Sequence, residues 1–339
     1  MNLKRILMSA ALTVGVVLSA AGCFGGAASS SGNVEDITFA DGDKIAVIEI
    51  KDYGTVKAKL FPDIAPVGVE NFIELAEQGY YDGLKIHRVI TDSVIQGGSL
   101  NGDGTGGTAA YAGEEEAKKE NPASSFPIEV SEKARHFYGA LCYAADNYGN
   151  CAAQFYIVNS KTPQDLTKID AAKVQAKADE LAAAAAAATW EADSSAAKNN
   201  SYLQTYYSNH ASILGSKDQA AVDKYAKVGG VHQFDGMDTV FGQVFEGFDV
   251  IDSISAVDVE TNAFGEKSMP VKDIIISSVK IETYKASTAE ATAEATSGKD
   301  SKTESQPGSG STVQATADSA SAASQTAEAL STIDTKETA

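Results

Sequence analysis

The sequence predicts a mainly β fold, a closed antiparallel β-barrel that is capped by helices and carries an inserted α-helical segment. Two observations support this prediction. The folded region opens in the order strand, strand, helix, strand, and apolar residues alternate with polar ones along the strands, as in a sheet with one dry face. Farther along, Lys168 to Ala197 is rich in Ala, Lys, Asp and Glu, a composition that favours helix.

The first predicted elements are a β-hairpin and a helix. Apolar residues alternate on both sides of a turn at 51–54, at Ala46, Ile48, Ile50, Val56, Ala58 and Leu60. This alternation indicates two strands that share one buried face. Pro66 then opens a helix, because proline is well accommodated in the first helical turn, and Gly79 ends it. Beyond this helix the chain returns in a strand that contains Arg88.

Arg88 lies inside an apolar run, between Ile86 and Val89, with no carboxylate next to it in sequence. Arginine is rarely buried without a partner, so we expect this side chain to point into a water-filled cleft. A lone arginine on an edge strand, with its charged head in solvent, is the simpler explanation. The motifs that accompany Arg88 favour the cleft.

Three motifs follow one another along the chain. They are Ile86–Ile90 followed by Gln96–Gly98, then Gln154–Ile157, then Phe234–Gly236 followed by Thr239–Gly242. Together they resemble the signature segments of the cyclophilin family of peptidyl-prolyl cis/trans isomerases. The resemblance implies the cyclophilin barrel and catalysis of rotation about Xaa-Pro bonds, without a cofactor.

The resemblance also implies roles for individual residues. Arg88 matches the catalytic arginine, and Gln96 matches the glutamine that orients it and the substrate carbonyl. The substrate-binding positions implied in the same way are Ser93, Val94, Ala144, Gln154, Tyr156, Phe234 and Asp238. A guanidinium suits this reaction because the prolyl nitrogen regains its lone pair as the amide twists.

Four positions of the site depart from the family pattern. Ser93 replaces an aromatic residue, Ala145 an asparagine, Asp238 a histidine, and Gln233 a Trp or His. Loss of the ring at Ser93 would weaken proline binding by about one or two kcal/mol. Pairing of Asp238 with Arg88 would hold the arginine away from substrate. Two functions therefore fit the sequence: an isomerase that assists the folding of exported proteins, and a peptide-binding or chaperone module with weak or no isomerase activity.

Composition and charge exclude some functions. The net charge of -19 leaves no basic stripe for nucleic acid, and we expect partners that are proline-containing polypeptides. The four histidines are scattered, so no metal-binding motif is predicted. We expect a monomer.

The N-terminus predicts export. Lys4 and Arg5 precede an apolar run that is too short for a comfortable membrane span, and small residues lead to Cys23. This segment resembles a bacterial lipobox, although Ala20 stands where a leucine is usual; an ordinary signal peptide with a chance cysteine is the alternative. The lipobox implies lipidation of Cys23 and an anchor at the outer face of the cytoplasmic membrane.

The predicted organisation has four parts. They are a signal peptide at 1–22, a flexible tether at 23–36, a cyclophilin-like domain at 37–284 with a helical insertion at 163–230, and a disordered tail at 285–339. Export would place Cys142 and Cys151 in an oxidising compartment. A local disulfide and two buried free thiols both fit their spacing.

Overall fold

The computed structural model describes residues 37–110, 125–187 and 195–285. The predicted signal peptide, Cys23, the tether and all but the first residue of the predicted tail lie outside these ranges. Among the described helices, none has the length and apolar character needed to cross a membrane.

Twelve strands are described, and all of their pairings are antiparallel. In chain order they are β1 (Lys44–Ile50), β2 (Gly54–Leu60), β3 (Lys85–Ile86), β4 (Arg88–Ile90), β5 (Val94–Gly97), β6 (Phe126–Pro127), β7 (Ala140–Ala145), β8 (Asn150–Val158), β9 (Val240–Glu246), β10 (Val259–Thr261), β11 (Lys267–Pro270) and β12 (Ile274–Thr283). The main sheet runs β3-β12-β1-β2-β9-β7-β8-β5-β4, with β6 beside β8, and β10 pairs with β11 in a separate hairpin.

The main sheet is not closed by a strand pairing in the described residues, so the prediction of a closed barrel is wrong in this respect. Its two edge strands, β3 and β4, are consecutive in sequence and are separated by His87 alone. Ile86 on the first edge pairs with Ile274 of β12, whereas Arg88 on the second pairs with Gln96 of β5. One short segment thus contributes to both edges, with Ile86 and Arg88 on either side of His87. The prediction of a mainly antiparallel β fold is confirmed.

Five α-helices are described: α1 (Pro66–Glu77), α2 (Ala171–Ala187), α3 (Ser195–Gly215), α4 (Gln219–Val228) and α5 (Phe248–Ser255). Helix α1 begins at Pro66 as predicted, and Gly79 follows its end with a φ of +67° that favours glycine. Three of the described helices, α2 to α4, lie within the predicted helical insertion at 163–230. Single-turn 3-10 helices at Leu166–Lys168 and His232–Phe234 flank them.

The sheet separates two apolar clusters. The inner cluster lies between the sheet and helices α1 and α5, and it includes Phe72, Phe155, Phe241 and Ile251. The outer cluster joins the other face of the sheet to the insertion, and its members include Val94, Cys142, Tyr156, Tyr206, Phe234 and Met237. Successive residues of a strand point to opposite faces, which is why Phe155 and Tyr156 belong to different clusters. The outer cluster places the insertion directly beside the predicted site.

The same two faces separate the cysteines. Cys142 lies in the outer cluster opposite Tyr156, and Cys151 lies in the inner cluster opposite Ala145. Both are buried free thiols, and burial raises the pKa of each well above its usual value. The disulfide alternative is therefore contradicted, because the two side chains leave the sheet on opposite sides.

Candidate active site

Strand register brings the predicted catalytic residues into one row. Arg88 of β4 pairs with Gln96 of β5, and Gln96 pairs in turn with Tyr156 of β8. Residues that are directly opposite in an antiparallel sheet place their side chains close together on one face. A basic, an amide and an aromatic side chain thereby line up across three neighbouring strands.

A chain of hydrogen bonds fixes the polar side chains of this row. Nη1 of Arg88 donates to Oε1 of Gln96 at 3.2 Å, and Nε2 of Gln96 donates to Oε1 of Gln154 at 3.1 Å. Gln154 then donates to the carbonyl oxygen of Gly104 at 2.9 Å, within the glycine-rich loop that follows β5. Gln96 and Gln154 are both buried. The loop thus fixes Gln154, which is the far end of the series of hydrogen bonds that orients Arg88.

Glu266 forms an ion pair with Arg88 that the sequence did not predict. Its carboxylate accepts from Nε of Arg88 at 2.7 Å and from Nη2 at 2.9 Å. The two side chains are 11% and 16% exposed, so water screens this pair only partly. Glu266 lies in the turn between β10 and β11, where Asn262 accepts from its backbone N–H. This geometry is the bidentate arrangement that carboxylates and guanidinium groups favour.

Asp238 does not pair with Arg88, so the pairing that the sequence left open is not formed. Its carboxylate accepts from the hydroxyl of Tyr156 at 2.8 Å. Asp238 is buried, and burial raises the pKa of its carboxyl to about 6. The carboxylate that pairs with Arg88 is that of Glu266.

A small pocket opens between the row and the insertion. The predicted residues that line it are Arg88, Val94, Gln96, Ala144, Tyr156, Phe234 and Asp238, and the other lining residues are Ala145, Asp146, Tyr202 and Met237. Its volume is only about 20 Å³, which is room for about one water molecule.

Two predicted substrate-binding residues lie away from this pocket wall. Ser93 occupies the turn before β5, where its backbone N–H donates to Oδ1 of Asn159 at 2.6 Å. Gln154 is connected to the pocket through Gln96. The sequence did not identify Tyr202 and Met237 as pocket residues. Tyr202 could not be assigned to the pocket because its helix is separated from the signature motifs in sequence.

A buried polar cluster supports the segment that carries Phe234 and Asp238. Asp235 accepts from the backbone N–H of His136 at 2.9 Å and from the hydroxyl of Tyr225, with Nδ1 of His136 at 3.0 Å. Burial acts to raise the pKa of Asp235, but the bonds and charge of His136, with Arg135, hold it below its usual value. Tyr225 belongs to α4, so the insertion helps to fix this wall of the pocket.

Comparison with known proteins gives consistent results. The family described as cyclophilin type peptidyl-prolyl cis-trans isomerase/CLD matches residues 45–177 and 192–281. A putative peptidyl-prolyl cis-trans isomerase of Staphylococcus aureus is 31% identical over 240 residues, which cover 70% of this chain and 92% of that protein. A protein of the same description from Staphylococcus epidermidis is 30% identical over 241 residues, covering 71% and 93%.

Two solved structures are similar in part. A crystal structure of a cyclophilin type peptidyl-prolyl cis-trans isomerase of Cryptosporidium parvum has 17% identity and a TM-score of 0.45, and covers 72% of this chain and 99% of its own. The structure of that protein in the presence of the dipeptide Ala-Pro has 18% identity and a TM-score of 0.44, with coverages of 71% and 99%.

Proposed function

Because this chain belongs to the cyclophilin-type peptidyl-prolyl cis-trans isomerases, we propose that its pocket binds Xaa-Pro segments of exported proteins and that Arg88 accelerates their isomerisation. The observation that carries the proposal is the position of the Arg88 guanidinium. It lines the same small pocket as the aromatic rings of Tyr156 and Phe234. A proline residue in this pocket would contact the guanidinium and the two aromatic rings at the same time.

The reaction needs no bond to be broken. Resonance gives the Xaa-Pro amide partial double-bond character and a rotation barrier of about 20 kcal/mol. As the bond twists, the prolyl nitrogen regains its lone pair and can accept a hydrogen bond. A donor aimed at that nitrogen binds the twisted amide better than either planar isomer, which lowers the barrier.

Arg88 keeps donors for this role. A guanidinium has five N–H groups. One on Nε and one on Nη2 bind Glu266, and one on Nη1 binds Gln96. In the described part of the chain one N–H on each terminal nitrogen then has no partner. These two donors remain available to a bound substrate.

A protease-coupled assay of an Xaa-Pro peptide tests the activity. We expect the wild type to accelerate isomerisation and Arg88→Ala to lose most of that acceleration. Lys85→Ala is a matched control, since it removes a positive charge from the adjacent strand at a side chain that is 43% exposed and pairs with Asp273. A wild type that leaves the uncatalysed rate unchanged would contradict the proposal.

The finer role that we propose is folding assistance at the outer face of the cytoplasmic membrane. The support is in the sequence: a basic start, an apolar run and small residues before Cys23. Lipidation of Cys23 would tether the enzyme through the Ala, Ser and Gly residues that follow. Cys23→Ser should then release the protein into the medium. Retention of Cys23→Ser in the membrane fraction would contradict a lipid anchor.

A peptide-binding module with little turnover is the second candidate. Two observations favour it: the pocket has room for about one water molecule, and Glu266 partly neutralises Arg88. The same assay separates the candidates when peptide affinity is measured beside it. Peptide binding without acceleration would identify the binding module.

A further inference from the structure

Helix α3 of the insertion is fixed to the backbone of the pocket wall. Four of its side chains lie within hydrogen-bond distance of carbonyl oxygens in the segment 233–237. The pairs are Tyr202 with Met237 at 3.3 Å, Tyr206 with Gln233 at 2.6 Å, Asn209 with Gly236 at 3.2 Å and His210 with Asp235 at 2.9 Å. Positions 202, 206, 209 and 210 share one face of a helix, so this face is docked along its length.

Tyr202 is the member of this face that reaches the pocket. Among the described residues that line the pocket, it alone comes from the insertion. Its ring also packs against the turn between β7 and β8, where a Cβ placed on Gly149 would lie 2.8 Å from ring carbon Cδ2. Asn199, one helical turn earlier, donates to the carbonyl of Asn147 in that turn at 3.1 Å. The ring therefore bridges the two sides of the pocket mouth.

The remaining space is too small for a substrate proline. A pyrrolidine ring carries three methylene groups, whereas about 20 Å³ accommodates one water molecule. The sheet residues of the pocket are held by strand pairing, and Asp238 is held by a buried hydrogen bond from Tyr156. Tyr202 has a single hydrogen bond from its hydroxyl, at 3.3 Å, and its ring is only partly buried. Rotation of this side chain is the least costly way to open the pocket.

We propose that Tyr202 is a gate that competes with the prolyl ring for the pocket, so that the insertion sets the affinity for substrate. Helix α3 stays docked through Tyr206, Asn209 and His210 while the Tyr202 ring moves aside. The inference rests on the proposed function of the pocket as the proline site. It assigns the insertion a role in substrate binding.

Substitutions at Tyr202 distinguish a ring that blocks the pocket from a ring that forms part of the binding surface. The probe is a blocked Ala-Ala-Pro-Ala peptide titrated into the full chain and followed by NMR chemical shifts. Tyr202→Ala should bind it about tenfold more tightly, since the pocket then needs no opening step. Tyr202→Phe keeps the ring, so its affinity for the peptide should stay within about twofold of the wild-type affinity. Tyr202→Trp has a larger ring and should bind the peptide severalfold more weakly. Tyr148→Ala is the matched control. Tyr148 lies in the turn between β7 and β8 that the Tyr202 ring contacts, but it is 40% exposed and does not line the pocket.

The order of affinities decides the outcome. A ring that merely forms part of the binding surface predicts weaker binding in Tyr202→Ala, and that result would overturn the gate. Unchanged affinity in both Tyr202→Ala and Tyr202→Trp would overturn it as well. The titration needs no turnover, so a protein that binds the peptide but does not isomerise it would contradict the proposed function alone.

Discussion

Nε and Nη2 of Arg88 donate to the two carboxylate oxygens of Glu266, although the residues are 178 positions apart in the chain. The β10–β11 hairpin thereby reaches the row of Arg88, Gln96 and Tyr156 in the main sheet. The carboxylate fixes the plane of the guanidinium and at the same time reduces its positive potential at the pocket. These two effects act in opposite directions on a reaction that needs an oriented cation.

Glu266→Gln should separate the two effects. The amide keeps one acceptor for the guanidinium but removes the negative charge, so we expect kcat/KM to rise severalfold, equivalent to about 1 kcal/mol. Glu266→Ala removes the acceptor too and should lower kcat/KM, because Arg88 then adopts several orientations. A comparable fall in both variants would show that the charge of Glu266 is needed.

The pH dependence of stability should change in Asp238→Asn. Burial raises the pKa of Asp238 to about 6 in the folded protein, against an ordinary value of 3.8. Between these values the folded state holds a proton that the unfolded state has lost, so stability falls as pH rises from about 4 to about 6. This loss of folding stability is complete at pH 7 and is on the order of 3 kcal/mol. An asparagine side chain cannot ionise, so we expect the free energy of unfolding of Asp238→Asn, measured in urea, to increase relative to that of wild type as pH rises from about 4 to about 6.

His87 makes the comparison with the variant necessary. Burial lowers the pKa of His87 to about 4 from 6.5, so its contribution to stability rises with pH over an overlapping window. The two contributions oppose each other in wild type. The difference between wild type and Asp238→Asn removes the His87 contribution, since both proteins contain it. A difference that is independent of pH between 4 and 7 would contradict the raised pKa of Asp238.

Tyr225→Phe should destabilise the protein through Asp235. The hydroxyl lies 2.9 and 2.8 Å from the two carboxylate oxygens, and both residues are buried. Loss of a donor to a buried carboxylate should lower the free energy of unfolding by about 1–3 kcal/mol. Tyr148→Phe, at an exposed ring, is the control and should have little effect. An equal effect of both substitutions would exclude a special role for the cluster.

The thiols should be unreactive in the native protein. Cys142 and Cys151 are completely buried and lie on opposite faces of the sheet. In a Cys23→Ser protein we expect no thiol to react with a thiol reagent under native conditions and two to react after unfolding without reductant. Absence of free thiols in the unfolded protein would reveal a disulfide and contradict the present arrangement.

The sequence predicted the local elements better than the long-range contacts. Alternation and the Pro66 signal located the first hairpin and helix α1, and the motifs placed Arg88, Gln96 and Tyr156 near one another. Glu266 could not be predicted, because an acidic residue in an Asn-Ala-Phe-Gly turn is typical of a solvated loop and its partner is distant in sequence.

Two further differences have physical causes. Sheet closure depends on which strands β3 and β4 pair with on either side of His87, a tertiary property that strand periodicity does not encode. The docked face of α3 combines Tyr202, Tyr206, Asn209 and His210 and binds through carbonyl acceptors. An apolar periodicity search therefore finds this helix but not its contact with the pocket.

The most direct test of the central claim is NMR exchange spectroscopy of an Ala-Pro peptide at saturating concentration, with wild type and Arg88→Ala compared. Uncatalysed exchange takes tens to hundreds of seconds. The account predicts exchange that is at least about a hundredfold faster with wild type, and near the uncatalysed rate with Arg88→Ala even though the peptide still binds. Equal exchange rates in the two proteins would contradict the role of the Arg88 guanidinium.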